Sequence, residues 1–185
     1  MRRSALDFLG GMQWMSLPQL SAILAAATRP FRADFAHGHF IQLYLYVHRV
    51  QGLEPGVYRL WPEQGELEQG ELEQIKSGDQ RVVAAGLSLG QELAGNACVA
   101  FSMIGSLTRA VRAHGDRGYR YAHFQAGAIG HRLYLAAEAL GLGATGIAAF
   151  YDEEVQRYLN LAPGQGEVMY HFAIGYPVPD PRLEA

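Results

Sequence analysis

The sequence predicts an α+β sandwich, a single domain over residues 1–185 in which helices cover a mainly antiparallel sheet. Three observations carry that expectation. Ile41, Leu43, Leu45 and Val47 alternate with Gln42, Tyr44, Tyr46 and His48, which is the period of a strand. Glu54-Pro55-Gly56 is a turn that returns this strand into Val57-Tyr58-Arg59-Leu60-Trp61, so the two should pair antiparallel. Beyond residue 80, helical stretches and short apolar strands alternate to the end of the chain.

Each element has a local reason. Ser16-Leu17-Pro18-Gln19 has the form of a capping box, and Leu17, Leu20, Ile23, Leu24 and Ala27 then fall on one helical face. The strand of residues 41–50 and its hairpin partner follow. Residues 63–74 repeat Glu-Gln-Gly-Glu-Leu and should form an acidic hairpin or loop in solvent. A helix is expected over 81–93, a buried strand over 97–104 with Cys98 as a small hydrophobe, and a helix over 106–114. Gly115-Asp116-Arg117-Gly118 should break the chain before a long helix over 119–140 rich in Gly and Ala. A strand over 145–150, a helix capped by Asp152 with Glu153 and Glu154 in its first turn, and a strand over 167–175 complete the order.

Composition excludes several classes. With 49% hydrophobic and 18% charged residues the chain has material for a core. A net charge of -3 without a basic block argues against nucleic acid or an anionic membrane as partner. One cysteine excludes an internal disulfide framework and a cysteine-rich metal site. No apolar run reaches the roughly 18 residues of a spanning helix, and the first residues lack the apolar core of a signal peptide, so a cytoplasmic protein is expected. Walker and Rossmann glycine patterns, a Gly-x-Ser-x-Gly elbow and a His-Glu-x-x-His helix are also missing.

Four stretches in order carry a resemblance. They are Arg2-Arg3-Ser4, Gly52-Leu53-Glu54-Pro55-Gly56-Val57-Tyr58-Arg59, the helix from Gly118-Tyr119-Arg120-Tyr121 to Gly141-Leu142-Gly143, and Glu167 to Pro177 with its Tyr170-His171-Phe172 centre. Together they resemble the nitroreductase superfamily and its SagB-type dehydrogenase branch, whose characterised members use FMN to oxidise azoline rings in ribosomal peptides. The resemblance implies a nitroreductase-like fold, a two-fold homodimer with the long helix at its interface, and FMN between the subunits. It also implies hydride transfer through flavin N5 to or from a small or peptide-derived substrate.

It further implies which residues hold the cofactor. Arg2, Arg3 and Ser4 match the triplet that binds the FMN phosphate and ribityl chain, and two cations with a hydroxyl suit an oxyanion. Arg182 matches a second basic residue at the phosphate. Gly146, Ile147 and Ala148 match the segment whose backbone amides approach flavin N5 and O4. Three positions depart from the pattern: Leu6 replaces a cation near flavin N1 and O2, only Gly38 remains of a glycine-rich loop, and Ala148 stands where a second Gly is usual. These departures favour an alternative, a flavin-free scaffold or interaction domain. His37 and His39 read as surface histidines without a metal-ligand set, and Asp152, Glu153 and Glu154 as helix-end charges. No side chain is singled out as catalytic acid, base or nucleophile.

Overall fold

The structure, a computed structural model, describes residues 3–30, 38–61 and 71–181. Strand β1 (Met15–Ser16) leads directly into helix α1 (Leu17–Thr28). The expected capping box is present: the Ser16 hydroxyl accepts from the Gln19 amide at 3.3 Å, and the Gln19 side chain accepts from the Ser16 amide at 2.9 Å. Leu20, Ile23, Leu24 and Ala27 are buried, whereas Leu17 in the first turn is exposed.

Strands β2 (Ile41–Val47), β3 (Val50–Gln51), β4 (Gly56–Trp61) and β5 (Glu71–Ser77) follow. β2 ends at Val47, short of the expected Val50, because the His48 and Arg49 amides both turn to the Cys98 carbonyl and the chain bends there. Val50–Gln51 then pairs in parallel with β1 as a separate small sheet. β4 and β5 are antiparallel neighbours. Glu71 to Gln74, the end of the acidic repeat, therefore belongs to an ordered strand, while residues 63–70 of that repeat lie outside the described residues.

Helix α2 (Arg81–Leu87) is shorter than expected: Leu89 at φ 57° and Gly90 at φ 71° turn the chain left-handed, and a separate turn of helix, α3 (Leu93–Asn96), follows. Then come β6 (Val99–Gly105), α4 (Leu107–His114), α5 (Arg117–Ala139), β7 (Gly143–Ile147), α6 (Asp152–Tyr158) and β8 (Glu167–Gly175). Helix α5 starts at Arg117, so Gly118 lies inside it. Its hydrogen there is required, because an added Cβ would strike the Ala110 carbonyl and the Val111 nitrogen of α4. Backbone cannot yield as a side chain can, so Gly118→Ala should destabilise the fold by ~1–3 kcal/mol despite the better helix propensity of Ala. A melting temperature equal to wild type would disprove that close approach.

The six-stranded sheet runs β5-β4-β2-β6-β8-β7, and all five pairings are antiparallel. The alternation read in β2 is real, but both of its faces are covered. Leu43, Leu45 and Val47 join Leu20, Ile23, Ala126 and Leu133 in a core under α1 and α5. Tyr44 and Tyr46 join Ala84, Leu87, Val155 and Leu159 in a second core under α2 and α6. This two-faced burial is the α+β sandwich expected from the sequence. No helix among the described residues is long and apolar enough to cross a membrane.

Candidate functional site at the edge strand

β7 lies at one edge of the sheet, and the chain before β1 is laid against it. Ser4 bridges Ala144 in parallel, the Ala5 amide donates to the Ala144 carbonyl at 2.9 Å, and the Thr145 hydroxyl donates to the Ala5 carbonyl at 2.7 Å. Farther along, the Leu9 amide donates to the Tyr176 carbonyl and Phe8 is buried. These bonds hold Ser4, Ala5 and Leu6 beside Gly146 without any helix or strand of their own. Arg3, Ser4 and Leu6 line a cleft of about 450 Å³ with Gly141, Gly143 and Pro177.

Two tyrosines meet at Gly146. The Tyr134 hydroxyl, from the inward side of α5, accepts the Gly146 amide at 2.7 Å and lies 2.7 Å from the Ser4 hydroxyl. Tyr170, from β8, places its hydroxyl where a Cβ of residue 146 would stand. Phe172 supports both rings, edge-on to Tyr134 at 4.8 Å and to Tyr170 at 6.1 Å between centroids. Tyr134 and Tyr170 open onto a cleft of about 320 Å³ with His123, Gly127, His131 and Met169. The phenol of Tyr170 is raised above its ordinary value, first by burial and then by the neighbouring Tyr134, so at neutral pH it keeps its proton.

The turn after β7 is held from the opposite face of the sheet. Gln91 donates to the Ala149 carbonyl at 3.4 Å, the Tyr151 amide donates to the Leu87 carbonyl, and Phe150 stacks on the His171 ring at 4.8 Å. His171 is itself fixed between two hydroxyls, Ser88 at Nδ1 (3.1 Å) and Ser102 at Nε2 (2.9 Å), with Tyr46 beyond Ser102 at 3.1 Å. Burial lowers its pKa to about 4, so the ring is neutral. His48 is likewise lowered to about 4 by burial, partly opposed by its bond to the Ala94 carbonyl.

The residues read from the sequence are thus partly gathered. Arg3, Ser4 and the 146–148 segment share one edge; Arg2, Arg182 and His37 lie outside the described residues. Ile147 turns its side chain into the second core, while Ala148 is exposed just beyond β7. The Gly146 amide donates to the Tyr134 hydroxyl. The strand expected over 145–150 spans Gly143–Ile147, which leaves residues 148–150 as the turn. Leu6, 46% exposed, puts no charge in the cleft it lines. His39 lines a separate cavity of about 200 Å³ near Gln125 and Arg132. Asp152 is the first residue of α6 and Tyr151 its cap, so Asp152, Glu153 and Glu154 are the helix-end charges expected, displaced by one position.

The small residues of α5 are largely explained within the chain. Gly130 faces the Tyr170 ring, Ala122, Ala126 and Ala137 are buried, and Gly127 meets nothing. Sequence reasoning missed Tyr134 and Tyr170. The available signal was the spacing of Gly130 and Tyr134, one helical turn apart on α5, and the place of Tyr170 within an apolar strand.

Residues 12–176 match the family model described as the nitroreductase family. The chain belongs to the nitroreductase family. A candidate nitroreductase of Methanocaldococcus jannaschii, MJ1384, is 32% identical over 167 residues, covering 86% of this chain and 81% of that protein. The crystal structure of a candidate nitroreductase from Anabaena variabilis superposes with a TM-score of 0.84 at 32% identity, over 96% of this chain but only 37% of the other. The Escherichia coli microcin synthetase McbBCD complex with truncated pro-MccB17 shares the fold at a TM-score of 0.77 and 20% identity, over 97% of this chain and 70% of that one. The nitroreductase-like fold of helices on an antiparallel six-stranded sheet is the one the sequence resemblance implied. Members of this family are typically flavin-dependent oxidoreductases.

The donor set of this edge fits such a cofactor with one substitution of role. An exposed hydroxyl and cation at Ser4 and Arg3, an exposed turn at Ala148, and the Tyr170 hydroxyl suit a phosphate-bearing, flat heteroaromatic group. Gly146 contributes space and an anchor for Tyr134 rather than a free amide.

Proposed function

We propose that this protein is an FMN-dependent oxidoreductase of the SagB-type dehydrogenase branch, acting as a cytoplasmic homodimer on a small or peptide-derived substrate. The observation that carries the reading is the convergence of Ser4, Tyr134 and Tyr170 at Gly146, which gathers polar groups on an otherwise apolar sheet edge. Arg3 and Ser4, with Arg2 and Arg182 from outside the described residues, would hold the phosphate through charge-assisted bonds. Backbone at Ile147 and Ala148 would meet the ring. FMN, when bound, supplies the two-electron chemistry by exchanging a hydride at N5. The chain's own residues bind and orient: Tyr134 ties Ser4 to the start of the 146–148 segment, while Gln91 and His171 fix its far end from the opposite face. A second copy across α5 would close the clefts against water.

A flavin-free scaffold is the competing reading, favoured by Leu6 and by the engaged Gly146 amide. Titration of the purified protein with FMN, followed by flavin fluorescence, separates the two. Binding is expected, and Ser4→Ala should raise Kd about tenfold, since a hydrogen bond to a charged oxygen contributes ~1.5–3 kcal/mol. Absence of binding in the wild type would instead support the scaffold.

A further inference from the structure

The Tyr170 ring occupies a slot that two glycines keep open. A Cβ added at Gly130 would come within 2.9 Å of its Cε1 atom, and one added at Gly146 would fall on its hydroxyl. Phe172 packs against the same ring at 66°. With α5 on one side, β7 on another and Phe172 behind, the hydroxyl is aimed rather than free to swing. Its neighbour Tyr134 is satisfied by the Gly146 amide and Ser4. Among the described residues, however, the Tyr170 hydroxyl has no hydrogen-bond partner, although it is half-buried on the wall of the 320 Å³ cleft. The cleft leaves that hydroxyl accessible, so its partner there is water or a ligand that displaces water. A clamped donor without an intramolecular acceptor is placed for one that arrives from outside.

We propose that Tyr170 is a ligand-contacting residue whose hydroxyl donates a hydrogen bond to a ring carbonyl or ring nitrogen of a flat heteroaromatic ligand lying against residues 146–148, where β7 ends. This rests on the FMN reading above. Phenylalanine at 170 would keep the ring in its slot and remove only the donor. Gly146→Ala would keep the donor and push it out of place.

Both variants and the wild type are titrated with FMN, reading affinity by fluorescence and the position of the bound flavin's visible bands by absorbance, with the melting temperature as a check on folding. Tyr170→Phe should raise Kd about fivefold and shift the bands at unchanged melting temperature. Gly146→Ala should weaken binding as well. Wild-type affinity and an unshifted spectrum in Tyr170→Phe would overturn the inference, meaning that water alone satisfies the hydroxyl, and would leave the functional reading standing. A wild type that binds no FMN would overturn both.

Discussion

Acidification from pH 7 to pH 4 should destabilise the fold by about 3 kcal/mol for each of His48 and His171. Both rings are buried, 5% and 2% exposed, and burial lowers each pKa from 6.5 to about 4. The unfolded chain therefore takes up protons between pH 6.5 and pH 4 that the folded chain refuses. Stability is full above pH 6.5, falls through that window and levels off below the folded pKa, at ~1.4 kcal/mol per unit of difference. Asp79, lowered to about 2 chiefly by its bond to Arg81, loses its contribution below this window, from near pH 4 downward. Urea denaturation at pH 7, 5.5 and 4 reads the effect. His171→Gln retains a donor and an acceptor between Ser88 and Ser102 but cannot titrate, so its stability should depend less on pH than that of wild type. Parallel pH profiles for the two proteins would mean that His171 is not the buried group responsible.

Phe172→Ala should cost ~3–5 kcal/mol, the range for removing a fully buried aromatic side chain. Phe172 also backs both Tyr134 and Tyr170, so its loss reaches the site as well as the core. Phe172→Leu restores most of the volume without the ring edge. Equilibrium unfolding of the two variants should separate these contributions: a large loss for Ala and a smaller one for Leu. Equal stabilities for Ala and wild type would contradict the packing described around β8.

Much of the fold was legible because local patterns and tertiary burial agree. The Ser16 capping box, the β2–β4 hairpin and strand β8 formed where periodicity and turn chemistry placed them. Errors arose where a neighbour overrides local preference. Gly118 reads as a breaker but is a contact surface for α4, and Leu89 adopts a left-handed conformation that its side chain does not favour. At the site, Ser4 and Ala148 could be named by motif, although the pairing of Ser4 with Ala144 is itself a long-range contact. Tyr134 and Tyr170 could not, because their meeting at Gly146 depends on how α5 packs across the sheet, which no local motif encodes. The engaged amide of Gly146 was invisible for the same reason.

The segment from Ser4 to Leu9 has a further consequence through where it lies. An uncovered edge strand offers unpaired amides and carbonyls to any other strand, which is how sheets from separate molecules join. By taking the Ala144 carbonyl and capping Thr145, this segment blunts one of the two edges of the sheet. The residues that would recognise a phosphate therefore also guard against intermolecular strand pairing. Substitutions in this segment are therefore constrained by colloidal behaviour, whether or not a ligand is bound beside it.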